Sequence, residues 1–270
     1  MTTEQPPVKE TALLYARTAG EAFADQAAFF RSLPPDAWDG PTGCARWTMR
    51  DLVGHVVGEA VWFAHLVREV TADEPPLPKH LWEELKQLPP DQIADRMDAA
   101  ARELPANVEA ATPEQLRRDA DLGWTVMPLW QGLGIGLQEA VVHNWDGRIG
   151  RDPDATIRTA WAKILASRMA AFAPRVARSN AARQFPGRYL LDVGDGIGPI
   201  MIVAGPDGVH VEPGNTDNPD VTLHLTADQY VRLIDGRLPL KDSIARGRVQ
   251  VEGDTATAEA LNQIFLGIAN

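Results

Sequence analysis

Glu139 and His143 stand four residues apart in the stretch QEAVVHNWDGRIG at 138–150. On a helix that spacing puts both side chains on one face, with Cβ atoms about 5–6 Å apart. A carboxylate and an imidazole so placed are two thirds of a minimal divalent-metal site, which needs one more nitrogen or oxygen donor from elsewhere in the fold. His55 is the candidate for that donor. It falls two turns into WTMRDLVGHVVGEAVWFAHLV at 47–67, where Thr48 and Asp51 read as a capping box opening an amphipathic helix. Two histidines and one carboxylate leave coordination positions open, which is what separates a catalytic metal from a structural one. The competing reading is a plain surface hydrogen bond, the usual fate of a Glu-x-x-x-His pair. Against it, Val141, Val142 and Trp145 make this helix apolar, and a buried glutamate and histidine need a partner that satisfies both.

Asp146 lies seven residues beyond Glu139 and three beyond His143. It is a candidate to orient His143 by hydrogen bond or to accept a proton, against an exposed aspartate near a helix end. Glu59, one turn after His55, is a fourth ligand, a supporting partner or a solvent-facing carboxylate. Arg246, and after it Arg237, is the candidate to clamp a substrate carboxylate in bidentate fashion. Cys44 sits in the loop PTGCAR beside Arg46 and reads as a structural or incidental thiol rather than a nucleophile. His65 falls on a different face from His55, His80 on a solvated segment, and His210 and His224 on strands. Trp124, Trp130 and Trp145 concentrate aromatic surface around the proposed site, with core packing the simpler reading.

Helices must position these residues. Apolar periodicity predicts helices over 8–33, from Thr48 to about 70, over 92–104 with Asp91 as cap and Pro105 ending or kinking it, through 138–150, and over 155–178. Between them, TADEPPLPKHLWEELKQLPPD is a Pro-rich insertion with a short helical piece at 80–88, long enough for a lid or pocket wall. Glycines 132, 134 and 136 weaken a helix unless something packs closely on them. The N-terminal half therefore reads as a helical bundle, whose core is where facing helices build metal sites. Past Arg183 the pattern changes to short strands at 188–193, 200–204, 208–211, 221–225 and 249–252, interrupted by helices at 226–234 and 255–268. That is an α+β domain.

Composition sets bounds. The chain has 270 residues, 44% hydrophobic and 23% charged, an ordinary globular balance. A formal net charge of −11 makes nucleic acid a poor partner. No apolar run has the length of a membrane span, and MTTEQPPVKE lacks the order of a signal peptide, so a cytoplasmic location is expected. A single cysteine allows no intrachain disulfide.

The pairing of WTMRDLVGHVVGE with EAVVHNWDGRIG resembles the DinB-like superfamily, in particular its mycothiol-dependent maleylpyruvate isomerase family. In that family a W-[ST]-x-x-D-L-x-x-H helix and an E-x-x-x-H-x-W-D helix carry the metal ligands. LTADQYVRLIDGRLPLKDSIARGRVQVEGD resembles sterol-carrier-protein-like domains, which also form that family's second domain. The resemblance implies an up-and-down four-helix bundle over 8–180 followed by a sterol-carrier-like α+β domain over 184–270. It implies that His55, Glu139 and His143 hold a divalent metal, zinc being the first choice, and that mycothiol is the thiol cosubstrate. A metal-bound thiolate attacking an electrophilic small molecule would make the protein an isomerase of the maleylpyruvate type or a thiol S-transferase. Gly136 stands where many members carry an arginine. The alternative is a small-molecule or lipid sequestering protein that uses the C-terminal cavity, its metal purely structural.

Overall fold

The computed structural model describes residues 7–78, 80–214 and 218–266. The chain divides into two compact units, Met1–Ala155 and Thr156–Asn270.

The first unit contains α1 (Val8–Arg31), a 3-10 turn (Pro35–Asp39), α2 (Met49–Ala72), α3 (Leu81–Lys86), α4 (Pro90–Ala110), α5 (Pro113–Leu116), the hairpin β1 (Asp119–Asp121) and β2 (Val126–Pro128), and α6 (Leu129–Ile149). Four long helices close a bundle, α1 and α2 each packing on both α4 and α6. Thr48 caps α2 as its sequence predicts, its hydroxyl accepting from the Asp51 amide while the Asp51 carboxylate accepts from the Thr48 amide. Such a cap contributes about 1 kcal/mol. Phe23, Phe30, Met49, Leu52, Phe63, Leu66, Met97 and Leu104 are almost wholly buried, at about 1.5–3 kcal/mol each. The core, more than the caps, therefore holds the histidine-bearing helices in place. α6 is buried nearly all round, including Gly132, Leu133, Gly136, Leu137, Val141 and Val142, the pattern of a central helix.

Of the two outcomes expected at Pro105, ending or kinking the helix, termination does not occur: Pro105 lies inside α4. A proline has no N–H to give the carbonyl one turn back, that of Ala101, and this carbonyl faces Gly20 of α1, where a Cβ would lie 2.5 Å from its oxygen. Asp91 is also not the cap of α4; Pro89 holds that position and Asp91 sits in the first turn, where its charge complements the helix dipole. The α6 glycines are met by side chains: the Phe63 ring packs on Gly136 and Leu122 on Gly132. The β1–β2 hairpin, antiparallel with Asp119 opposite Pro128 and Asp121 opposite Val126, is too short and polar to show in the sequence.

The second unit contains α7 (Thr159–Val176), α8 (Ser179–Gln184), β3 (Gly187–Val193), β4 (Gly198–Gly205), β5 (Gly208–Pro213), β6 (Val221–Leu225), α9 (Ala227–Ile234), α10 (Leu240–Ala245), β7 (Gln250–Gly253), α11 (Thr255–Glu259) and α12 (Leu261–Ile264). The sheet order is β5-β4-β3-β6-β7, antiparallel throughout except for the parallel pair β3 and β6. Tyr189, Leu191 and Val193 alternate inward on β3, and Leu191 lies opposite both Ile200 and Leu223. All five strands stand where the sequence predicts them, to within a few residues.

The expected domain boundary moves. The helix predicted over 155–178 was expected to complete the bundle of 8–180, but it packs as α7 on α9 and β5 of the second unit. The Ile157 amide, just before it, donates to the Asp228 carboxylate of α9 at 2.9 Å. Periodicity reveals an apolar stripe, here Trp161, Leu165 and Met169, but not which core that stripe meets. The helix predicted over 255–268 is broken at Ala260 into α11 and α12, and its last residues lie outside those described.

Candidate metal centre

α2 and α6 pack against each other, and each brings its predicted donors to the contact. One carboxylate oxygen, Oε2 of Glu139, lies 3.2 Å from His55 Nε2 and 3.1 Å from His143 Nε2. The three ligand-type atoms all fall within 4.8 Å of one another. The two imidazole rings meet edge to face with centroids 4.9 Å apart. His143 is 9% exposed at its side chain, whereas His55 and Glu139 keep 27% and 30%, so the cluster is walled on the His143 side and reachable from the other.

Behind His143 stands Asp146, with no exposure and with Oδ2 2.8 Å from His143 Nδ1. Cys44 reaches the same oxygen, Sγ to Oδ2 at 3.3 Å, and lies 3.9 Å from His143 Nδ1. From α1, the Gln26 side-chain amide donates to the His143 carbonyl at 2.9 Å, fixing the backbone at His143. Trp47, in the loop before α2, lies over the histidines, its ring centroid 4.9 Å from that of His55 and 5.8 Å from that of His143.

The electrostatics favour a positive charge at this point. Burial opposes ionisation of Glu139, but hydrogen bonds from His143 and His55, and their charge, hold the carboxylate well below its ordinary range. Burial equally opposes protonation of His143, yet hydrogen bonds to Asp146, Cys44 and Glu139 raise it well above its ordinary value. Glu59, one turn along α2, is pushed up to about 8, chiefly by burial and then by the charge of Glu139. The charge of Glu139 thus opposes ionisation of Glu59, while the two imidazoles support that of Glu139.

His55, Glu139, His143 and Asp146 thus meet as the spacing implies. His65 is set apart, as its face predicts: its Nε2 lies 2.8 Å from the Pro75 carbonyl and its Nδ1 faces Arg68 and Glu74. His80 is exposed beside Glu84. His210 and His224 lie on β5 and β6. Arg246 ends α10, exposed and bonded to Asp242 at 2.8 Å, and the Arg237 guanidinium donates to the Asp235 carbonyl. The aromatic expectation needs correcting. Trp145 is buried, as the core reading expects, with its indole donating to the Ala155 carbonyl, but Trp124 is 70% exposed on the hairpin, and the tryptophan packed against both histidines is Trp47. The sequence reading missed it, although its place immediately before the Thr48 cap is one where an apolar residue often folds back on its helix. Cys44 was likewise set aside, with no local signal to place it against Asp146.

Residues 19–147 match the family described as the mycothiol maleylpyruvate isomerase N-terminal domain. Residues 167–266 match the SCP-2 sterol transfer family, a match that begins inside α7 and so agrees with that helix lying in the second unit. Two crystal structures of the mycothiol-dependent maleylpyruvate isomerase, one of them of a mutant, are similar to this chain at 13% identity, with 85% of this chain and 89% of that one covered and a TM-score of 0.55. That degree of likeness is one of fold. The apo form of sterol carrier protein 2 from Yarrowia lipolytica is 19% identical, covers 37% of this chain and 84% of that one, and has a TM-score of 0.29. No curated protein matches. Among the described residues no helix is long and apolar enough to cross a membrane.

Proposed function

We propose that this chain, whose residues 19–147 match the mycothiol maleylpyruvate isomerase N-terminal domain and whose residues 167–266 match the SCP-2 sterol transfer family, is a metal-dependent enzyme that uses mycothiol against an electrophilic small molecule. The observation that carries the reading is the single carboxylate oxygen of Glu139 standing between the Nε2 atoms of His55 and His143.

The donor set fits a divalent cation. Glu139 Oε2 lies 3.1 and 3.2 Å from the two Nε2 atoms and all three atoms lie within 4.8 Å of one another, so His55, Glu139 and His143 would hold one ion between them. Two imidazoles and a carboxylate suit zinc, the first choice here, and nickel, iron or manganese would fit the same donors. When bound there, a divalent cation stabilises a thiolate over a thiol, so that a thiol of ordinary pKa, about 8.5, ionises at neutral pH.

The chain's own residues supply the rest. Asp146 accepts the Nδ1 proton of His143 and so presents the Nε2 lone pair to the cluster, the usual outer partner of a ligating histidine. Being fully buried behind the ring, it acts through His143 and not on substrate. Trp47 packs against both imidazoles, tilted to each, and so restrains their rings. The exposed edge of Glu139 and His55 is the side from which small molecules approach. Arg246, solvent-facing beside Asp242, is the proposed clamp for a substrate carboxylate. A thiolate that adds to a conjugated double bond and leaves after rotation isomerises it; one that stays attached gives an S-conjugate. Substrate positioning selects between the two.

The test is metal content of wild type and His143→Ala purified in parallel, followed by titration of each with mycothiol. The expected result is near-stoichiometric metal and thiol binding in wild type, both lost in the variant. Wild-type protein that takes up no zinc on reconstitution would end the reading. Binding of an apolar probe that survives metal removal, with no thiol-dependent turnover, would favour a sequestering protein instead.

A further inference from the structure

The loop between the 3-10 turn and α2 is docked onto the C-terminal half of α6 more closely than the metal ligands alone require. The Gly43 amide donates to the Asp146 carbonyl at 2.7 Å. A Cβ on Gly43 would fall on the Asp146 carboxylate, and a Cβ on Gly150, at the far side of the contact, would fall on the Pro41 carbonyl. Two glycines, one on each partner, therefore let residues 41–44 lie flat against α6. Thr42 ties the loop to itself, its hydroxyl bonded to the Cys44 amide and to the Trp47 carbonyl.

What this docking delivers is a thiol. Cys44 is 2% exposed, and its Sγ is aimed at Asp146 Oδ2, the oxygen that also receives His143 Nδ1. A fully buried carboxylate is costly unless its lone pairs are met by donors, and a thiol is a donor of the right polarity, if a weak one. With one oxygen gripped from two directions the carboxylate cannot turn about its own axis without losing a bond.

Building on the metal reading above, we propose that Cys44 is a positioning residue of the metal centre: its thiol holds the Asp146 carboxylate in the orientation that keeps the His143 proton on Nδ1 and the Nε2 lone pair towards Glu139 and His55. Cys44 is then neither a nucleophile nor a ligand. Its effect on the cation passes through Asp146 and His143. Outer hydrogen-bond partners of ligating histidines change metal affinity by about 10–100-fold when removed, and a partner one bond further out belongs at the lower end of that range.

The experiment uses the full-length protein, with zinc affinity measured by competition with a chromophoric chelator for wild type, Cys44→Ala and Cys44→Ser. Alongside, thermal melts of the metal-free forms are recorded, and the His143 ring N–H is observed in zinc-loaded, 15N-labelled samples. The proposal expects Cys44→Ala to lose affinity by about tenfold with little change in the metal-free melt, and its Nδ1–H signal to exchange with water where the wild-type signal is protected. Cys44→Ser, which keeps a donor, is expected to recover part of both. Cys44→Ala within twofold of wild type would overturn the proposal, as would alanine and serine variants that are equally impaired with metal-free melts lowered in parallel, since that is a packing defect. Wild type that binds no zinc fails the metal reading itself, a result the affinity arm separates from either of these.

Discussion

The indole of Trp47 and the imidazole of His55 pack with ring centroids 4.9 Å apart at an interplanar angle of 51°. An aromatic ring packed against an imidazole that would hold the proposed cation is a built-in reporter of its arrival. We expect zinc added to the metal-free protein to change tryptophan emission, and Trp47→Phe to remove most of that change although seven of the eight tryptophans remain. A stopped-flow or equilibrium fluorescence titration reads it, and a full-sized signal in Trp47→Phe would place the responsive indole elsewhere.

The cation should also tie α2 to α6. A ligand present at about 100 times its Kd stabilises the folded state by about 2.7 kcal/mol, which corresponds to about 5–10 °C in a domain of this size. Chelation is therefore expected to lower the melting temperature of wild type by several degrees. Glu139→Gln keeps the shape of the side chain and removes the charge, so its melting temperature should be indifferent to chelator. Calorimetry with and without chelator distinguishes the two; a chelator effect preserved in Glu139→Gln would count against Glu139 as a ligand.

The three candidate donors, His55, Glu139 and His143, are legible in the sequence because they lie on two long helices, where a capping box fixes the phase of one and a four-residue spacing fixes the other. Asp146 follows from the same periodicity. Trp47 and Cys44 were not legible, since they sit in a loop whose place depends on Gly43 and Gly150 meeting partners about a hundred residues away in sequence. The same limit moved the domain boundary. The apolar stripe of α7 is plain in the sequence, but the partners that claim it, α9 and β5, come later in the chain. In the second unit the strands could be placed because each alternates and is punctuated by turn residues, whereas α8 and α10 were missed because a helix of one to two turns carries too little periodicity.

Gly150 offers a test of the docked loop that leaves the ligands untouched. Gly150→Val places a side chain where the Pro41 carbonyl lies, and overpacking of this kind costs about 1–3 kcal/mol. Because the displaced segment carries Cys44 and Trp47, the variant should lose zinc affinity as well as stability. Gly205→Ala, where an added Cβ meets nothing within 4 Å, is the matched control and should stay within about 0.5 kcal/mol of wild type. Denaturant melts and chelator competition on the pair separate a loop effect from a general one; zinc affinity unchanged in Gly150→Val would uncouple the loop from the site.

His224 gives the second unit a dependence on pH. Its Nε2 lies 3.0 Å from Glu252 of β7 and its Nδ1 2.9 Å from Asp192 of β3, so one side chain on β6 joins both neighbouring strands. The bond to Glu252, and then that to Asp192, raise its pKa above the ordinary histidine value. A group whose folded pKa is raised binds its proton more tightly in the folded state, so its stabilisation is complete below the unfolded pKa of about 6.5 and is lost as pH rises through the folded value. The second unit should therefore melt at higher temperature near pH 6 than near pH 8. His224→Gln, uncharged at both, should flatten that part of the profile and leave zinc affinity unchanged. Melting temperatures of wild type and variant across pH 5.5–8.5 in metal-free buffer test it, and parallel profiles would remove His224 as the source.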